Sequence, residues 1–187
     1  MRNIDKAKVC QAVALLLEGL GEDANAERFR KTAERVANFY GEFLTDNKVC
    51  AFNQSALMAE HFTGIVSIKA INFFSICEHH LLPFFGAASI AYLPKANKII
   101  GISKLAEIIK SLAADFQIQE RLTQEISDLI NKLIDPQGVI VKIEAYHLCL
   151  SMQGVKETQA KLQTCIKSGI FLQDQILAAQ TLELLKD

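Results

Sequence analysis

Proline and glycine are scarce in this chain, 3 and 9 of its 187 residues, which excludes a low-complexity or disordered polymer. A surplus of one charge is also missing. Lysine and arginine number 20 against 21 acidic residues, so the net charge of -1 offers no general attraction to nucleic acid or to an anionic membrane surface. An anionic ligand must then be held by local basic residues. No apolar run reaches the roughly 20 residues needed to span a bilayer. The five cysteines are odd in number and lack the regular spacing of a disulfide framework, which suits a reducing compartment and makes the cytoplasm the expected location. Arg2, Lys6 and Lys8 precede an apolar stretch from Val9 to Leu20, but Asp5, Gln11 and Glu18 interrupt it and no small-residue cleavage site follows. The segment reads as a helix and not as a signal peptide.

Half of the residues are hydrophobic, enough for one domain with a sizeable core. Residues 1–62 read as a helical part. Val9, Val13, Leu16, Leu17 and Leu20 fall at helical spacing before Gly21, and Phe29, Ala33, Val36, Tyr40 and Phe43 define a second amphipathic helix from about Asn25 to Leu44. A third short helix is expected from Asn53 to His61. Residues 63–187 change period. A strand is predicted from Gly64 into Cys77 and a second from Gly86 to Leu93. Helices follow, one starting near Ser103 and one after Glu120. Along Val139 to Leu150, residues two apart share a face, so His147 and Cys149 are expected to point the same way. Leu162 to Phe171 suits a fourth strand, and Gln173 to Leu185 a last helix. The class is α+β, with helices, then β-β-α-α-β-β, then a helix.

Two short clusters concentrate the reactive side chains. Cys77, His79, His80, His147 and Cys149 include two of the five cysteines and three of the four histidines. Zinc takes thiolate and imidazole ligands, and a catalytic zinc keeps three protein ligands with one open position. Cys77 and His80, spaced C-x-x-H across a turn, with Cys149 from a distant strand, make such a set. His79 and His147 then flank the ion as proton carriers, a task imidazole side chains commonly perform. A buried inert cysteine is the commoner role for either thiol alone, and a closed structural site using four of the donors is the competing arrangement. Glu78 is either a partner that orients a histidine or a solvated turn residue.

Ser75 to Phe85, Gly101-Ile102-Ser103-Lys104-Leu105-Ala106, Gln117-Ile118-Gln119-Glu120-Arg121-Leu122-Thr123 and Glu144 to Cys149 together resemble the zinc-dependent GTP cyclohydrolase I family. The similarity extends to Lys31 to Ala37 and covers most of the chain. It implies a tunnelling fold whose β-β-α-α-β-β units join into a barrel, commonly as a pair of pentamers, with pockets completed between subunits. It implies Cys77, His80 and Cys149 as the Zn2+ ligands and His79 and His147 as the acid/base histidines. Glu120 would hold the guanine edge with help from Gln119, while Ser103, Lys104 and Arg35 would contact phosphate. The implied reaction is hydrolytic opening of the guanine five-membered ring at C8, with formate released and a dihydroneopterin formed for pterin or folate synthesis.

The chain departs from the family at the phosphate end. Glu107 and Gln153 stand where arginine is usual, and Asn38 where a basic residue is. Two unit charges about 5 Å apart interact by roughly 3 kcal/mol at an effective dielectric near 20, so an acid for a base matters at such a position. Two further readings follow: the same chemistry on a guanine or purine compound lacking the triphosphate, or a zinc-stabilised oligomer that binds a purine or a protein without turnover.

Overall fold

A computed structural model describes residues 3–44, 57–59, 61–95 and 98–186. They form two compact units, Met1–Asn47 and Lys48–Asp187. In the first, α1 (Lys6–Gly19) starts at Asp5, whose carboxylate accepts from the Lys8 amide at 3.0 Å. It stops at Gly21, where φ is +84°. There Gly21 N–H donates to Glu18 O and Glu22 N–H to Leu17 O, the 5→2 and 6→1 pattern of a glycine-terminated helix. The second helix is shorter than its periodicity suggests. Asp23 accepts from the Asn25 amide, a local turn that competes with helix, and after a 3₁₀ turn (Glu27–Phe29) α2 runs only over Thr32–Phe43.

The second unit is built on a five-stranded sheet. Its main strands are β2 (Val66–Cys77), β3 (Pro83–Leu93), β6 (Gly138–His147) and β7 (Leu162–Lys167), neighbours in that order and all antiparallel. Between β3 and β6 come α3 (Ile102–Ala113) and α4 (Gln119–Ile134), separated by the two-residue β5 (Phe116–Gln117), which pairs parallel to the end of β2. This is the expected α+β succession of two strands, two helices and two strands. A smaller ladder joins β1 (Leu57–Ala59) to β4 (Lys98–Ile100). The third helix expected over Asn53 to His61 lies mostly outside the described residues, and its residues 57–59 are strand. Cross-strand pairing with β4 overrides their local preference.

One face of the sheet packs against α3 and α4. Phe73, Phe84, Ala88, Ile90, Val141 and Ile143 meet Leu105, Ile108, Ile109, Leu122, Ile126 and Ile130, all buried. The opposite face is covered at one end by the C-terminal helices α6 (Ile170–Gln173) and α7 (Gln175–Leu184), through Phe171 and Ala178 against Ala91 and Ile140. The strand expected to continue to Phe171 therefore ends at Lys167. A bulge in β2 between Ile68 and Ile71, with Ala70 at φ +56°, changes the alternation. Val66 and Ile68 before it, and Ile71 and Phe73 after it, all pack on the helix-covered core. The bulge thus sets the phase that carries Cys77, at the end of β2, onto the same face.

Gly86 fixes how closely β3 and β6 approach beside the functional end. A Cβ there would lie 2.0 Å from Glu144 O and 2.6 Å from Ala145 Cα, both backbone atoms that cannot swing away. Gly86→Ala is expected to destabilise the fold by about 1–3 kcal/mol, read as a lower urea midpoint, and to misalign the Phe84–His147 pair two residues on.

Candidate metal centre and active site

β2 delivers Cys77 to the rim of the core, 5% exposed, and the chain then turns through residues 78–81 before β3. The turn is closed by Leu81 N–H to Cys77 O and Cys77 N–H to Leu82 O, at 2.9 and 2.8 Å. His80 Nδ1 lies 3.8 Å from Cys77 Sγ, and Cys149 Sγ lies 4.0 Å from it. The donor atoms of Cys77, His80 and Cys149 all fall within 4.8 Å of one another. Two thiolates on a tetrahedral ion with bonds near 2.3 Å stand roughly 3.8 Å apart, so these side chains have the spacing and the soft donors that suit zinc. His79 Nδ1 is also 4.0 Å from Cys77 Sγ, yet His79 is not in the three-donor set, and its exposed ring lies nearly perpendicular to that of His80.

Cys149 does not share a strand face with His147. β6 ends at His147, and Cys149 sits on a one-turn helix, α5 (Leu148–Met152). The ladder has no partner beyond that point. Phe84↔His147 is the last pair with β3, where Pro83 lacks the N–H to extend it, and β7 pairs only as far as Ala145. Freed from the sheet, the chain coils, and the helical turn carries the thiol to Cys77. Burial, then the neighbouring Cys77, pushes the Cys149 thiol above its ordinary pKa, so binding a metal there displaces protons.

His147 is clamped on two sides. Its ring stacks on Phe84, with centroids 4.6 Å apart and planes within 5°, and its Nε2 lies 2.9 Å from Gln119 Oε1. Gln119 is fully buried, and its Nε2 donates to Ile143 O, Leu162 O and Thr164 Oγ1 at 3.1–3.2 Å. Backbone carbonyls only accept, which fixes the amide orientation and leaves Oε1 toward His147. His147 Nε2 must therefore carry the proton, and Nδ1 is the acceptor in the neutral ring. Burial pushes the His147 pKa below its ordinary value, opposed in part by the charge of Glu120.

The remaining candidates are dispersed. Glu120 is exposed in the first turn of α4. Ser103 and Lys104 lie in the first turn of α3, whose N-cap is Gly101. Lys104 Nζ donates to Glu107 Oε2 at 2.8 Å, an ion pair of half-exposed side chains. Arg35 is exposed on α2 of the N-terminal unit, where Asn38 accepts from Lys6. Glu78, open between two roles in the sequence, is ion-paired with Arg121, whose guanidinium holds the carboxyl below its ordinary pKa. Sequence reasoning missed Thr123 and Thr164, which support Gln119 from beneath: their hydroxyls are 2.6 Å apart, and Thr123 donates to Gln119 O. Thr123 stands four residues after Gln119 on one helix, a readable spacing. Thr164 is 45 residues away and carries no such signal. A groove of about 400 Å³ on the other sheet face, lined by Asn72, Phe74, Phe85, Lys142, Glu144 and Tyr146, contains none of these donors.

Residues 9–186 match the sequence profile of the family described as GTP cyclohydrolase I. GTP cyclohydrolase 1 of Aquifex aeolicus is 45% identical over 186 residues, covering 98% of each chain. That of Geobacillus sp. (strain WCH70) is 40% identical over 187 residues, covering 100% of each. The solved apo form of archaeosine synthase QueF-Like aligns with a TM-score of 0.47 and 16% identity over 58% of this chain and 97% of that one.

Proposed function

Since the chain belongs to the GTP cyclohydrolase I family, we propose that it opens the guanine ring of GTP at C8, releasing formate and forming a dihydroneopterin for pterin or folate synthesis. The observation that carries this reading is the convergence of Cys77, His80 and Cys149 beside a clamped His147. Cys77, His80 and Cys149 would hold a zinc ion, which would supply Lewis acidity toward water at neutral pH. The chain's own groups handle the protons and the purine. His147, with Nε2–H committed to Gln119, takes and returns a proton at Nδ1. Gln119 sets that orientation from the core instead of facing the purine. His79, exposed at the rim, is the second proton carrier. Guanine presents two adjacent donors, N1–H and the N2 amino group, and the Glu120 carboxylate accepts both.

We propose further that the pocket is completed by another copy of the chain, in a pentamer or decamer of tunnelling-fold subunits. The metal donors adjoin β5, beyond the C-terminal end of α3, whereas Ser103 and Lys104 lie in its first turn. The helix has 12 residues and is about 18 Å long, further than one nucleotide reaches from C8 to its last phosphate. Leu15, Leu16 and Leu20, exposed on α1 in the N-terminal unit, are available for burial between subunits. Among the described residues no helix is long and apolar enough to cross a membrane.

The test is to incubate zinc-loaded protein with GTP, GMP and guanosine and follow formate and pterin fluorescence. Turnover of GTP is expected, and release from none of the three would overturn the reading in favour of a binding protein. The ion pair of Lys104 with Glu107 favours a second reading, a substrate with fewer phosphates. Exposed pairs of this kind contribute up to about 1 kcal/mol once solvent screening and side-chain entropy are included, so Glu107→Gln is expected to lower the KM for GTP by no more than about fivefold. A preference for GMP over GTP in the wild type would establish the second reading.

A further inference from the structure

Arg121 stands in the first turn of α4, directly after Gln119 and Glu120, and its side chain runs back from that helix toward the metal-donor turn. Its guanidinium is anchored first on the body of the protein. Nε donates to Gln117 Oε1 at 2.9 Å and Nη2 to Phe116 O at 3.2 Å. Gln117 is itself buried, 4% exposed, with its amide donating to Glu125 Oε2 at 2.7 Å and Leu112 O at 3.3 Å, so the guanidinium rests on a group that cannot drift. From this fixed base Nη2 also donates to the Glu78 carboxylate, and the Glu78 amide donates to Gln117 O at 3.2 Å. Glu78 lies between the donors Cys77 and His80. The turn that must present both is therefore tied by backbone and by side chain to the corner where β5 meets α4.

The geometry points to Arg121, acting through Glu78, as a positioning residue that holds the Cys77–His80 turn in ligating geometry and at a set separation from the turn of α4 that carries Gln119 and Glu120. Its role toward the metal stands on geometry alone, whereas its role toward the purine rests on the function proposed above. Two effects of very different size separate this from an ordinary surface ion pair. The Arg121 and Glu78 side chains are 40% and 35% exposed, and such a pair contributes little to stability. Groups that hydrogen-bond and orient metal ligands, in contrast, typically change metal affinity or activity 10–100-fold when mutated, which sets the scale for a tie that holds the turn between two ligands. Only the planar fork of arginine serves Gln117, Phe116 and Glu78 together, so lysine is not an equivalent.

The experiment measures zinc affinity by chelator competition, and the cobalt(II) absorption bands of cobalt-loaded protein, in Arg121→Gln, Arg121→Lys, Glu78→Gln and the Arg121→Gln/Glu78→Gln double variant. Circular dichroism and thermal midpoints monitor the fold. Each single variant is expected to keep its fold, lose roughly 10–100-fold in zinc affinity and shift the cobalt bands. The double variant is expected to lose no more than the worse single one, because both remove one interaction. Unchanged affinity and bands in the singles, or losses that simply add in the double, would overturn the proposal. Should Arg121→Gln fail to fold, Glu78→Gln on the exposed turn decides alone, by the same affinity measurement. With zinc saturating, Arg121→Gln is expected to raise the KM for GTP more than it lowers kcat. If the wild type proves inactive on GTP, the proposed function fails while the metal measurements still decide the role of Arg121.

Discussion

Cys149→Ser is expected to lose stoichiometric zinc and to cut formate release by about a thousandfold or more. Cys77, His80 and Cys149 converge to within 4.8 Å from a strand end, a turn and a helical turn, and two donors do not make a stable site. A serine hydroxyl does not ionise near neutral pH, so it cannot replace the thiolate. Polarisation by a bound ion contributes several kcal/mol to a hydrolytic transition state, and each 1.36 kcal/mol is a factor of ten, which sets the scale of the loss. The fold is expected to survive, because Cys149 is only partly buried on the five-residue α5. The measurements are zinc per subunit after gel filtration and formate released from GTP. A full zinc complement in the variant would mean that the ligand set is different.

His147→Ala is expected to separate binding from chemistry: zinc content unchanged, turnover lower by roughly 10²–10⁴-fold, the usual contribution of a positioned acid or base. His147 is outside the three-donor set, so its removal leaves the ligands in place. The substitution also deletes the stack on Phe84 and leaves Gln119 Oε1 without its donor, so some loss of thermal stability should accompany it. The zinc measurement distinguishes that loss from collapse of the site. Undiminished turnover would remove His147 from proton transfer.

Much of this site was legible because its chemistry is concentrated in short stretches. Cys77-Glu78-His79-His80 places two donors and a spare imidazole within one turn, and the pairing of His147 with Cys149 announces a second cluster. The length of the second helix and the form of residues 57–59 were less legible, since the first is decided by the Asp23 turn and the second by pairing with β4. Strand alternation over Val139 to Leu150 correctly assigns the core residues Val139, Val141, Ile143 and Ala145. It fails at Cys149, because a strand lasts only as long as a neighbour supplies its hydrogen bonds, and Pro83 ends that supply at His147.

The α+β class, the succession of two strands, two helices and two strands, the family and the side chains able to bind a metal could all be read from the sequence, since each depends on residue type and local spacing. Tertiary structure alone decided three further matters. The bulge at Ile68 to Ile71 set which face of β2 carries Cys77. Gln119, pinned by Ile143 O, Leu162 O and Thr164, determined which nitrogen of His147 bears the proton. Arg121, bound to Gln117 and Phe116, determined where the Glu78 carboxylate points. The physical reason is common to all three. A hydrogen bond or a ladder register is a relation between two segments, and neither segment's own residues state where its partner will be.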